Sequence, residues 1–144
     1  MTFKIMDFLG KPVTLQPRVE LYTVTDFMSK ELPGLAIVLD EVTGTSDELE
    51  QYAFLTVSFG EFISIKNSAY IDTNNCPFAE QLLSQGIAER TNFYKTSGFC
   101  RYPLWIFKED FLKEIGGENY QQYLRSFDAY FKALEGACDD EDDQ

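Results

Sequence analysis

Tyr70-Ile71-Asp72-Thr73-Asn74-Asn75-Cys76-Pro77-Phe78, then Ala79 to Glu89, then Ser97-Gly98-Phe99-Cys100-Arg101-Tyr102-Pro103-Leu104-Trp105-Ile106-Phe107, decides the reading of this chain. Tyr70–Asp72 has the character of a strand end. Asp72-Thr73-Asn74-Asn75 supplies the side chains that cap helices, and Pro77 suits a first helical position, which predicts an N-cap at Asn75 or Cys76. Phe78, Ala79, Leu82, Leu83 and Ile87 recur on one helical face, with Gly86 near its end. Residues 91–98 read as a loop. Phe99–Phe107 reads as a return strand that Pro103 confines to an edge or a bulge. Sheet is expected before this stretch and helix after it.

Working back from Tyr70, several short apolar runs are separated by polar turns. Residues 3–9 suit a short strand or a helical turn. Val13-Thr14-Leu15 and Val19–Val24 alternate as a half-buried strand does, with Pro17 marking an edge or bulge. Residues 25–33 read as a polar connection ending in a Pro33-Gly34 turn. Leu35–Val42 is apolar and β-branched, as a central strand requires. Residues 43–50 read as a hairpin loop, and Gln51–Phe59, Phe62–Ile65 and Ala69–Asp72 as further strands. The economical arrangement is an antiparallel meander.

Working forward, Lys108–Ile115 predicts a short helix stopped by Gly116-Gly117. From Glu118 to Leu134, Tyr120, Tyr123, Leu124, Phe127, Tyr130, Phe131 and Leu134 recur at spacings of three and four, an amphipathic helix whose stripe packs on a sheet. The fold class expected is α+β: an antiparallel N-terminal sheet of about four to six strands with C-terminal helices packed on it. Residues 1–138 form one domain in this reading, and residues 139–144 an acidic disordered tail.

Charge narrows the function. The chain holds 12 Lys and Arg against 24 Asp and Glu, a net charge of −12, and no histidine. A field of that sign repels phosphates, so direct binding of nucleic acid or an anionic membrane is not expected. The absence of histidine removes Ser-His-Asp and Cys-His catalysis and histidine-bearing zinc sites. Cys76, Cys100 and Cys138 are odd in number and lack CxxC spacing, unlike a disulfide framework or a four-cysteine zinc site. The N-terminus lacks an apolar core of signal-peptide length, and no apolar run approaches membrane-spanning length. A cytoplasmic protein without cofactor or metal is expected.

Three groups merit attention as sites. Cys76, before Pro77, would be activated if a helix N-terminus lowered its thiol pKa, but reactivity needs an electropositive setting that this acidic chain does not advertise, so an inert cysteine is the favoured account. Asp72, Asn74 and Asn75 are oxygen-rich but lack the later Gly and Glu of an EF-hand loop, which leaves Asx turns and capping as the simpler account. Asp40, Glu41, Asp47, Glu48 and Glu50 gather around one hairpin, with no Lys or Arg between Leu35 and Ser64. On one surface they would present a row of negative charge resembling a phosphate backbone. Dispersed, they are a solvated hairpin.

Asp7-Phe8-Leu9-Gly10-Lys11-Pro12-Val13-Thr14-Leu15-Gln16-Pro17-Arg18-Val19-Glu20-Leu21-Tyr22, Leu35–Asp40, Tyr70–Phe78 and Ser97–Trp105 carry a resemblance, spread over residues 3–120, to a family of uncharacterised accessory proteins of conjugative and other mobile elements of anaerobic bacteria. The resemblance implies a genetic setting and no catalytic residues. In size and charge the chain also resembles antirestriction and anti-CRISPR proteins, some of which imitate DNA. The expectation is therefore a non-enzymatic accessory factor that binds a basic, nucleic-acid-binding protein through Asp40, Glu41, Asp47, Glu48 and Glu50. The alternatives are a small thiol- or metal-dependent enzyme using Cys76 and Asp72, or a subunit of transfer machinery with the 118–134 helix as its contact face.

Overall fold

In the computed structural model the described residues are 1–44 and 48–142, with side chains as far as Glu135. Eight strands form two antiparallel sheets. The first, in the order β1-β2-β3-β4, contains Phe3–Met6, Pro12–Thr25, Glu31–Thr43 and Glu48–Phe54. The second, in the order β5-β6-β8-β7, contains Thr56–Val57, Ser68–Ile71, Cys100–Phe107 and Ala88–Ser97. Helix α1 (Ala79–Leu83) bridges β6 and β7, and α2 (Glu109–Asp142) follows β8. The α+β class with a four-stranded N-terminal sheet is as expected, and a second sheet joins it. The helical backbone of α2 continues through Asp142, and Asp143 and Gln144 lie outside the described residues.

The two sheets are stitched where the chain passes from one to the other. Leu55, fully buried, donates its N–H to the Ile37 carbonyl and accepts from the Asp72 N–H, both at 2.9 Å. The Ile37 N–H in turn reaches Thr56 Oγ1 at 3.1 Å. Core residues from β2 and β3 (Leu15, Val19, Ile37, Leu39) therefore meet Ile71, Trp105 and Phe107 of the second sheet and Leu112, Tyr120 and Phe127 of α2 in one cluster. Burial of this many large side chains supplies most of the driving force for folding.

Several local expectations are corrected. Pro33 and Gly34 lie inside β3, opposite Thr23 and Tyr22. A Cβ at Gly34 would sit 2.9 Å from Val24 Cγ1, so the glycine serves close strand packing rather than a turn. Pro33 is tolerated because β4 pairs only with residues 38–43 of β3, which leaves that flank free. Pro17 lies past the end of β1, whose pairing stops at Phe3 opposite Leu15, so the edge explanation holds there. Residues 91–97 form most of an edge strand, β7, where a loop is expected. Ala88 is its single buried residue, and the apolar alternation that marks a strand is missing. The 62–65 segment is irregular, and α1 is capped by Phe78 with no side-chain bond rather than by Asn75 or Cys76.

Helix α2 is broken at Gly117 (φ 53°, ψ −145°), where Gly116-Gly117 predicts a stop. Beyond the break, Tyr120, Tyr123, Phe127 and Tyr130 are buried, while Leu134 is exposed. Asn67, held at φ 64°, ties this helix to the loop before β6. Its N–H donates to Tyr123 Oη at 3.0 Å, its side-chain oxygen accepts from the Tyr120 hydroxyl at 2.9 Å, and its carbonyl accepts from Phe107 N–H at 2.8 Å.

Candidate functional site

The carboxylates expected to act together divide between the two faces of the first sheet. Asp40 and Glu41 are neighbours on β3, so their side chains leave opposite faces. Asp40 lies opposite Gln16 on β2 and Gln51 on β4, is 7% exposed, and accepts from Arg18 Nε at 2.9 Å. Arg18 also bonds Glu20. The run of residues 35–64 without a cation is thus misleading: the neighbouring strand supplies Arg18, which the spacing of charges along one strand does not reveal. Asp40 is a buried structural anion.

Glu41 stands directly opposite Glu50, and Thr43 opposite Glu48, so Glu41, Glu48 and Glu50 share one face near the β3–β4 turn. Glu48 and Glu50 are exposed and Glu41 half-buried. Among the described residues none of the seven ion pairs involves any of the three. Asp47 lies outside the described residues. Glu61 is paired with Lys95. A bulge between Leu39 and Asp40 lets Tyr52, the extra residue on β4, turn inward beside Phe78, with ring centroids 5.6 Å apart. Burial, and then the charges of Asp7 and Glu41, push the Tyr52 hydroxyl pKa upward. The β1–β2 turn therefore meets the carboxylate patch at this end of the sheet.

Cys76 is fully buried, and its thiol donates to the Phe54 carbonyl at 3.3 Å. Burial first, and then Asp72, push its pKa up to about 12, so it is a protonated thiol at neutral pH and a poor nucleophile. Asp72 accepts from the Asn75 N–H at 3.2 Å and the Asn75 side-chain amide at 2.8 Å, which makes the cluster a turn of its own. Among the described residues no three acidic or cysteine side chains converge as metal ligands. Cys100 is half-buried, and the side chain of Cys138 lies outside the described residues.

A feature that hydrophobic periodicity passes over is a turn built twice. Asp7-Phe8-Leu9-Gly10-Lys11 and Asp26-Phe27-Met28-Ser29-Lys30 close the two ends of β2. Asp7 Oδ1 accepts from the Leu9 and Lys11 N–H groups at 2.9 and 2.8 Å. Asp26 Oδ1 accepts from Met28 and Lys30 at the same distances. Gly10 (φ 79°) and Ser29 (φ 64°) take the left-handed position in each. Each turn lifts a phenylalanine into solvent, Phe8 at 90% and Phe27 at 86% exposure. The signal was legible as a recurring Asp-Phe-apolar-small-Lys pentapeptide.

An α+β domain of two antiparallel sheets with a broken C-terminal helix is the class of protein this geometry defines. Residues 22–127 match the domain of unknown function DUF4313, and the chain belongs to that family. No curated protein and no solved structure matches it. Among the described residues no helix is long and apolar enough to cross a membrane.

Proposed function

We propose that the protein is a non-enzymatic, acidic binding factor that takes a basic protein partner at the end of the first sheet, on Glu41, Glu48 and Glu50. The observation that carries this reading is the unpaired carboxylate group itself. Glu41 and Glu50 face each other across two strands, and among the described residues neither is ion-paired. Like charges in that position cost stability, and a partner's Lys or Arg would convert the cost into attraction. The raised thiol pKa of Cys76 and the lack of histidine favour binding over thiol catalysis. Burial of Tyr120, Tyr123, Phe127 and Tyr130 disfavours the 118–134 helix as the contact face.

In its sharper form the partner is a nucleic-acid-binding enzyme of cellular defence, such as a nuclease, met in the cytoplasm by an accessory protein of a mobile element. Asp40 is set aside, because Arg18 already neutralises it. Affinity capture from bacterial lysate tests the reading. The expected catch is a basic nucleic-acid enzyme held at low salt, released at high salt and displaced by duplex DNA. The E41K/E48K/E50K variant should lose the catch with no fall in its low-salt melting temperature. Equal capture by that variant overturns the proposal.

A further inference from the structure

The β2–β3 turn borders a hollow whose walls share one chemistry. Asp26 and Phe27 of the turn, Glu61 and Phe62 of the segment after β5, and Tyr130 and Phe131 of α2 enclose an open space of about 510 Å³. That volume lies in the range of small-molecule clefts, about 300–1,000 Å³. Phe62 packs on Tyr130 with ring centroids 4.8 Å apart, and Tyr130 and Phe131 stand at 87° to each other, so the rings meet as a corner and not as a parallel stack. Among the described residues the walls carry two carboxylates and no cation. Ring faces attract cations, and a box of aromatic side chains is the arrangement that recognises alkylated ammonium groups. The Tyr130 ring already accepts an ammonium of this chain: Lys30 Nζ, from outside the hollow's walls, lies 5.7 Å from its centroid. The Tyr130 hydroxyl donates to Asp26 Oδ2 at 3.0 Å, which fixes the ring and sets an anion at its edge. The bond from the Lys30 N–H, first among several causes, holds the Asp26 carboxyl below its usual pKa, so it is ionised at neutral pH. Glu61 is paired with Lys95, so Asp26 is the anion that faces a guest and Lys30 the cation that opposes it.

We propose that this hollow is a binding site for a small organic cation, an alkylated ammonium head seated against Phe27, Phe62, Tyr130 and Phe131 with Asp26 as its counter-ion. An alkylated head suits these walls better than an inorganic ion. Its carbon atoms bury against the rings, and its charge is spread over them. Among the described residues no three acidic or cysteine side chains converge as metal ligands, here or elsewhere. The turn that carries Asp26 and Phe27 is held by two N–H bonds to Asp26 Oδ1, so the wall is set before a guest arrives and less order is lost on binding. The net charge of −12 raises the local concentration of any cation near the surface. A free solute and a lipid headgroup share this chemistry. The site goes beyond the basic-partner reading and does not rest on it. Glu41 pairs near the start of β2, opposite Leu15, whereas this hollow lies past its last pair, Thr25 with Glu31.

Titration of the isotope-labelled full chain with choline, read from its amide chemical shifts, is the test. Choline should move the amides of Thr25 to Phe27 and of Phe62 saturably. The neutral alcohol in which carbon replaces the choline nitrogen has the same shape, and it should bind at least about tenfold more weakly. F27A alters a side chain that is already 86% exposed, so the fold should stand while choline binds about threefold more weakly or worse. D26N keeps an oxygen for the turn's N–H groups and removes the charge, and it should weaken choline as well. K30M, which removes the opposing cation, should tighten it, and F8A, at the other turn, should bind as the wild type does. Vesicles of phosphatidylcholine that bind and are displaced by choline would assign the head to a lipid, and vesicles left unbound would assign it to a free solute. Choline should not release a basic partner held by Glu41, Glu48 and Glu50, so each reading can fail while the other stands. Shifts that never saturate, equal binding of the neutral alcohol, or an F27A protein that binds choline as tightly as the wild type overturns the proposal.

Discussion

Tyr123 and Cys76 are two titratable side chains sealed in the same core, and both resist ionisation for the same first reason. Burial pushes each pKa to about 12, from ordinary values of 10.0 and 9.0. For Tyr123 the Asn67 N–H opposes the shift, and for Cys76 the Asp72 carboxylate adds to it. A group whose pKa is higher in the folded state holds its proton more tightly there. Its contribution is complete below the unfolded value and is lost as pH climbs through the folded one. Stability should therefore hold from neutrality to about pH 9, then fall between about pH 9 and 12, first through Cys76 and then through Tyr123. At about 1.4 kcal/mol for each pH unit between the two values, the pair accounts for several kcal/mol. Urea midpoints measured across this range should show C76A delaying the onset of the loss and Y123F flattening its upper part. Profiles of the two variants as steep as the wild type's would place the alkaline sensitivity elsewhere.

The elements differ in how openly the sequence declares them. The stripe from Tyr120 to Tyr130 and the apolar run Leu35–Leu39 are buried on one or both faces, and such segments repeat at the period of their own backbone. Edge strand β7 has almost nothing to bury, so its pairing with β8 comes from backbone bonds that leave no side-chain pattern. Gly116-Gly117 was legible as a break, but the division of labour between the two glycines was not. Gly117 supplies the left-handed backbone, and Gly116 supplies room: a Cβ there would lie 2.2 Å from Tyr120 Cβ. Tyr120 is fully buried and bonded to Asn67, so it has little freedom to move aside. Gly116→Ala should cost about 1–3 kcal/mol in chemical unfolding, as overpacking does, despite the better helix propensity of alanine. An unchanged midpoint would mean that this turn of α2 yields to the methyl group.

For the molecule as a whole, charge was legible in amount but not in placement. Net charge is a sum over residues, whereas the state of each carboxylate depends on which strand lies beside it. Asp40 and Glu41 are adjacent in sequence, yet one meets Arg18 and the other meets Glu50. The twofold Asp-Phe turn was equally present in the sequence, and only its height above the surface distinguishes it from core apolar sequence. A chain carrying −12 repels itself most when compact, and the unpaired Glu41, Glu48 and Glu50 concentrate part of that repulsion at one end. Raising NaCl from about 10 mM to physiological strength shortens the screening length from about 30 to 8 Å and should raise the melting temperature by several degrees. In E41K/E48K/E50K the net charge falls to −6, since each of three substitutions adds two to −12. Its melting temperature at low salt should be at least that of the wild type, and its gain on adding salt smaller. Calorimetry at the two ionic strengths checks both. An equal salt gain in the two proteins would assign the repulsion to the rest of the acidic surface and leave the carboxylate patch without a folding cost.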